Sequence, residues 1–241
     1  MKAFLACSAA AAALAAVATA APANTIHPEC VKAGDHATTV FPRTADGVRL
    51  AGVVLGKGTR GVVLAHESRG DLCEWMPFAR ALARAGYRVL PFDFRGYGES
   101  KSGQRVDFAA DVVAAGRALR RAGAKEVAYV GASMGGTAVL TASARAPAPA
   151  GVISLSGPAT FGNLDAPAAV SKTSDVPLLL VAAKGDTGFA ADQQVVYAAA
   201  AASDKQLVLV SGFDHGVNLL SGEARGRVRN LVLGFLRKHL P

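Results

Sequence analysis

Val127-Ala128-Tyr129-Val130-Gly131-Ala132-Ser133-Met134-Gly135 is the stretch that decides the fold. Its first four residues form a short apolar, strand-like run, and the residues after Met134 favour a helix. G-x-S-x-G between a strand and a helix demands a sharp turn. Gly131 and Gly135 remove the side chains that would obstruct it, and Ser133 is left projecting at a helix N-terminus. A hydroxyl presented there is a candidate covalent nucleophile, as in a hydrolase or an acyl transferase. The motif by itself carries little in a chain with 26 glycines, so its weight depends on what lies downstream.

Two further residues stand just beyond apolar runs. Asp186 follows the run over 177–183, and His215 follows the run over 205–211. Ser133, Asp186 and His215 therefore occur in the order of one known catalytic triad, with the acid and the base each directly past a strand. In that arrangement His215 accepts the Ser133 proton during attack on a carbonyl and returns it to the leaving group. Asp186 fixes the imidazole tautomer and stabilises its positive form. Asp192 and Asp214 compete for the role of acid. Asp214 directly precedes the histidine, and adjacent residues point apart, which favours Asp186. His66 reads as an anchor for a loop rather than a base. His27 and His36 read as solvated residues without a role, and His239 suits the negative end of a closing helix.

The chain of 241 residues is long enough for one well-buried domain, and 51% hydrophobic against 18% charged residues fits a globular core. Only 6% are aromatic, so that core relies on aliphatic side chains and Ala. Lys2 precedes a nearly unbroken apolar run to Ala18, and Ala18-Thr19-Ala20 and Ala21-Pro22-Ala23 both have small-x-small spacing. Residues 1–23 are expected to be a cleaved signal peptide, giving a secreted or periplasmic protein without stable membrane insertion. A membrane anchor is the competing reading; an Ala-rich segment is only weakly hydrophobic. Cys7 has too few residues before it for lipidation and leaves with the signal. Cys30 and Cys73 then remain, as one disulfide or as two free thiols. A bridge of that span stabilises by about 4 kcal/mol on the chain-entropy model. Neither cysteine has metal-ligand spacing, so no metal is expected. The net charge of +8 falls by the one charge of Lys2 to +7, spread over helix faces without aromatic interleaving, which argues against nucleic acid as a partner.

Residues 24–39 read as an irregular arm and 40–241 as the folded domain. The stretch 40–55 suggests a hairpin turning at Ala45-Asp46-Gly47. Strands are expected over 61–66, 87–94, 151–156, 177–183 and 206–210. Helices are expected over 74–85, 107–121, 134–146 and 190–202, with a closing helix striped by Val228, Leu231, Val232, Phe235 and Leu236. Repeated strand–helix units imply an α/β fold with a mostly parallel central sheet and helices on both faces.

With elbow, acid and histidine in place, the chain resembles a small α/β-hydrolase of the serine esterase kind over Val40 to the C-terminus. Leu64-Ala65-His66 matches the strand end whose following loop gives one oxyanion-hole amide in that family. Asp93-Phe94-Arg95-Gly96-Tyr97-Gly98-Glu99-Ser100 matches the family's turn after the next strand. The resemblance implies backbone oxyanion donors at Met134 and Ser68, no cofactor, and a small-molecule ester-like substrate. One position departs: Glu67 stands where the family has Gly after that histidine. A carboxylate there opposes a developing oxyanion unless it is turned away or paired, and Arg69 is a candidate partner. Only about twenty residues separate the strands around 156 and 177, leaving no room for a large cap domain and favouring small or medium soluble esters. Phe161, Trp75, Phe189 and Phe213 are candidate lining residues. The resemblance implies an acyl-enzyme esterase; a peptidase, thioesterase or acyltransferase using the same triad, or a non-catalytic binding protein on this scaffold, are the alternatives. The oligomeric state is not legible.

Overall fold

The computed structural model describes Met1 and residues 26–241; the rest of the expected signal peptide, both cleavage sites and Cys7 lie outside the described residues. The chain runs β1 (Thr38–Val40), β2 (Ala51–Val54), β3 (Arg60–Ala65), α1 (Met76–Arg84), β4 (Arg88–Asp93), α2 (Phe108–Arg121), β5 (Glu126–Ala132) and α3 (Met134–Ala142). It continues through β6 (Val152–Leu155), β7 (Thr160–Phe161), β8 (Leu164–Asp165), α4 (Ala166–Val170), β9 (Leu178–Ala183), α5 (Thr187–Ala199), β10 (Lys205–Val210) and α6 (Arg225–His239). Eight strands form one sheet in the order β1-β2-β4-β3-β5-β6-β9-β10. From β4 to β10 every neighbouring pair is parallel, while β2 meets β1 and β4 antiparallel.

Continuous apolar strands serve both faces because successive side chains alternate. Val63 and Ala65 of β3, with Val127 and Tyr129 of β5, face α2 and α3 in one core. Val62 and Leu64, with Ala128 and Val130, face α1 and α6 in the other. Of the expected stripe of α6, Val228, Val232 and Leu236 are buried there, while Leu231 and Phe235 are only partly buried against it. Between β6 and β9 lie only the β7–β8 hairpin and the short α4, so no large cap covers the sheet edge.

Three differences from the sequence-based expectations have local causes. Helix α3 stops at Ala142 rather than Ala146, because the Ser143 hydroxyl takes the Leu140 carbonyl and Arg145 is drawn to Asp107, 2.8 Å away. Helix α5 starts three residues early, at Thr187, with the Asp186 carbonyl accepting the Ala190 N–H. An Ala-rich run gives no polar face from which the sequence could fix that boundary.

The arm is the third difference. Its last residues, Thr38 and Thr39, are already in β1, and the segment before them is anchored rather than loose. Cys30 and Cys73 are joined by a disulfide with Cα atoms 5.6 Å apart. Asp35 pairs with Arg80 of α1 at 2.6 Å, and Ile26 and Val31 are buried against the second core. His27, expected to be solvated, is buried, and its Nε2 lies 2.7 Å from the fully buried Asp93 carboxylate. Glu29 and Asp93 flank the ring and hold His27 above its ordinary pKa, although burial opposes them. The donor atoms of His27, Glu29, Cys30 and Cys73 all lie within 4.8 Å of one another, but both sulfurs are committed to the bridge.

Candidate active site

Parallel strands deliver their C-terminal ends to one edge of the sheet, and three of the loops leaving that edge carry the candidate triad. Ser133 lies between β5 and α3 at φ 49°, ψ −120°, a conformation that L-residues avoid. Two glycines make the turn sterically possible. A Cβ on Gly131 would run into the Gly135 carbonyl, and one on Gly135 would run into the carbonyls of Ala65 and His66. The elbow is tied to the neighbouring strand by the Ser133 N–H, which donates to the Leu155 carbonyl at 2.9 Å.

Asp186 occupies the N-cap position of α5 past β9 without capping it through its side chain, and His215 precedes a 3-10 turn (Gly216–Leu220) past β10. His215 Nδ1 donates to Asp186 Oδ2 at 2.8 Å. That bond consumes one ring nitrogen and leaves Nε2 for a second proton partner. The Phe189 ring stands 4.2 Å from the imidazole, centroid to centroid. Ser133 Oγ makes no hydrogen bond among the described residues, so the serine and the histidine share an edge without being bonded. Of the competing acids, Asp214 turns away and accepts the Glu223 N–H at 2.9 Å, while Asp192 lies inside α5.

The loop after β3 is fixed from inside. His66 is fully buried, its Nδ1–H donating to the Glu67 carbonyl at 2.7 Å and its Nε2 accepting the Phe94 N–H at 3.0 Å. One donor and one acceptor match a neutral ring, and burial lowers its pKa accordingly. Met134 contributes the first amide of α3, and Ser68 is exposed on the loop; neither N–H is bonded within the described residues. First-turn amides lack intrahelical partners, so the Met134 N–H is available to an anion.

Glu67 does not pair with Arg69, which is exposed at φ 68°. Its Oε1 instead accepts the Val217 N–H at 2.6 Å, two residues past His215. The Glu67 N–H donates to Glu74 Oε1 at 2.7 Å. Burial, with Glu67 and Asp71 nearby, pushes the Glu74 carboxyl up to about 8.

A family model described as "alpha/beta hydrolase fold" matches residues 62–175. An esterase of Pyrococcus furiosus superposes with a TM-score of 0.74 at 18% identity, covering 85% of this chain and 91% of its own. The chain has the alpha/beta hydrolase fold. Among curated relatives, a 2-hydroxy-6-oxononadienedioate/2-hydroxy-6-oxononatrienedioate hydrolase of Burkholderia vietnamiensis is 36% identical over 114 residues, 44% of this chain and 39% of that protein. The bifunctional epoxide hydrolase 2 of Sus scrofa is 33% identical over 96 residues, 39% of this chain and 17% of that protein. The chain thus matches well under half the length of either relative.

Within this hydrolase fold the remaining candidate lining residues separate. Trp75, directly before α1, is fully buried in the second core. Phe161 packs toward Phe108, 6.4 Å away between centroids. Phe213 is 84% exposed, beside Gly185 on the loop leading to His215. Sequence reasoning missed two arrangements. The Asp93 carboxylate gathers the Leu72 and Glu99 amides as well as His27, and Gly98 has no room for a Cβ beside it. The tie from Glu67 to Val217 spans 150 residues and has no local signature.

Proposed function

We propose that this protein is an exported serine hydrolase that cleaves carboxylic esters of small or medium size through an acyl-enzyme. The observation that carries the reading is the hydrogen bond between Asp186 and His215 at the sheet edge where the strained turn presents Ser133. With Nδ1–H held by Asp186, the free His215 Nε2 takes the Ser133 proton as Oγ attacks the carbonyl carbon. The amides of Met134 and Ser68 receive the oxyanion, each such donor typically being worth about 3 kcal/mol of barrier. His215 then protonates the leaving alcohol, and water releases the acyl group by the reverse sequence.

The curated relatives are named as hydrolases and the superposed structure as an esterase, which supports hydrolysis as the class. Engagement of Glu67 by the Val217 amide favours an enzyme over a non-catalytic scaffold, since the carboxylate is already held by a donor. Export is supported by the apolar N-terminus and by the Cys30–Cys73 bridge, which belongs to oxidising compartments. Among the described residues, no helix is long and apolar enough to cross a membrane.

Turnover of p-nitrophenyl acetate, butyrate and octanoate, beside Ser133→Ala, tests the reading. The open edge predicts faster cleavage of the two short esters, with hydrolysis lost in the variant. Equal turnover by Ser133→Ala, or none by folded wild type, contradicts it.

A further inference from the structure

We infer that Glu67 is a positioning residue, a strap that fixes the backbone of the His215 loop against the loop carrying the Ser68 amide. The inference rests on the hydrolase reading and adds a residue to it. Its starting point is a helical turn capped from outside. His215 occupies the N-cap position of the 3-10 turn Gly216–Leu220, yet its side chain does not cap, because Nδ1 is turned to Asp186. A first-turn amide left in this way lacks a partner. Glu67 supplies it: Oε1 accepts the Val217 N–H at 2.6 Å, a short hydrogen bond. Capping the turn with a residue from another loop lets His215 spend its ring on the proton relay.

Two features make this contact a constraint. Gly216 has φ 55°, and a Cβ there would overlap the Glu67 carboxylate, so the close approach needs a residue without one. Glu67 is also held along its own backbone. Its N–H donates to Glu74 Oε1 at 2.7 Å, and its carbonyl accepts His66 Nδ1–H at 2.7 Å, while His66 is fixed to the Phe94 N–H. A carboxylate on a backbone pinned at both sides is a rigid arm. The glycine expected at this position from the resemblance has no side chain with which to form the tie.

The same loop packs against the elbow, since Gly135 has no room for a Cβ beside Ala65 and His66. The elbow, the Ser68 loop and the histidine loop are therefore one mechanical unit, with Glu67 closing its third side. Because the strap sets a position and no proton passes through it, any acceptor of similar reach serves. Misplacing a catalytic group by about 1 Å costs on the order of 10²-fold in rate, which sets the expected scale.

The experiment is steady-state kinetics of wild type, Glu67→Ala and Glu67→Gln on p-nitrophenyl acetate, with the Val217 amide followed by NMR hydrogen exchange. Glu67→Ala is expected to lose about 10- to 100-fold in kcat with KM within about twofold, and to lose Val217 protection. Glu67→Gln, whose amide oxygen accepts the same bond, is expected to recover most of both. A Glu67→Ala with kcat within about twofold of an active wild type overturns the strap, as does a Gln variant as impaired as the Ala one. Should the Ala variant not fold, the Gln variant decides alone: near wild-type kcat with a protected Val217 supports the strap, and a tenfold or greater loss (about 1.4 kcal/mol) overturns it. A wild type that neither turns over nor takes a fluorophosphonate on Ser133 overturns the hydrolase reading itself, and the catalytic role of the strap with it. That outcome is distinct from an active wild type indifferent to Glu67.

Discussion

Ser133 holds a φ of 49° that a non-glycine residue tolerates only when its surroundings enforce it, and Gly131 and Gly135 are what allow the enforcement. Gly135→Ala would drive a methyl group into the carbonyls of Ala65 and His66, disturbing the elbow and the Ser68 loop together. We expect that variant to lose most of the proposed esterase activity, on the order of 10²-fold, while circular dichroism still reports a folded protein. Wild-type activity in Gly135→Ala would show that the elbow is not held as described. Asp186→Asn leaves the shape of the site in place but favours the wrong imidazole tautomer, and kcat is expected to fall by about 10⁴-fold. A loss below about tenfold would remove Asp186 from its proposed role.

Glu74 makes a pH prediction at the same scale. Its folded pKa of about 8 lies above its unfolded value of 4.5, so the native state holds the proton more tightly. The stability it contributes is complete below about pH 4.5 and is lost as pH rises through about 8. Glu74→Gln, which cannot ionise, is expected to raise the melting temperature relative to wild type near pH 9, and to leave it unchanged near about pH 4.5. Equal melting temperatures for the two proteins at both pH values would contradict the shift.

At the scale of elements, the sequence is most informative where apolar periodicity is strong. The strands β3, β5, β9 and β10 and the helices α2 and α6 are each expected within a few residues of where they lie, because alternation or a 3.6-residue stripe leaves little choice. The candidate residues Ser133, Asp186 and His215 stand out in the sequence for the same reason: each lies on the segment leaving an apolar strand. Legibility fails where the determinant is a distant partner. The short β7–β8 hairpin and α4 carry too few residues for a period. His27 looks like a solvated arm residue until Asp93, 66 positions away, is brought to it. Buried Asp111 belongs to the same class: it pairs with Arg95 of the turn after β4 at 2.8 Å, with both side chains almost completely buried. Removing one partner strands the other charge, so Asp111→Ala is expected to cost about 3–5 kcal/mol in urea unfolding. A cost below about 1 kcal/mol would mean that Asp46, 2.8 Å from Arg95, carries the pairing alone.

The whole molecule is a two-sided sheet whose N-terminal arm is bolted across one face by the Cys30–Cys73 bridge, with a sequence separation of 43. Closing that loop restricts the unfolded chain by about 4 kcal/mol, so reduction, or Cys73→Ala, is expected to lower the melting temperature by about 10 °C. An unchanged melting temperature after reduction would show that the arm is held by His27, Asp35 and its buried apolar residues without help from the bridge. The proposed hydrolase chemistry stands or falls with Ser133 as a nucleophile activated by His215 and Asp186. It is tested most directly by treating the folded protein with a fluorophosphonate and measuring intact mass and the labelled peptide. One adduct per chain is expected, on Ser133, absent in Ser133→Ala and strongly slowed in Asp186→Asn. A folded wild type that takes no label, or takes it on another residue, would contradict it.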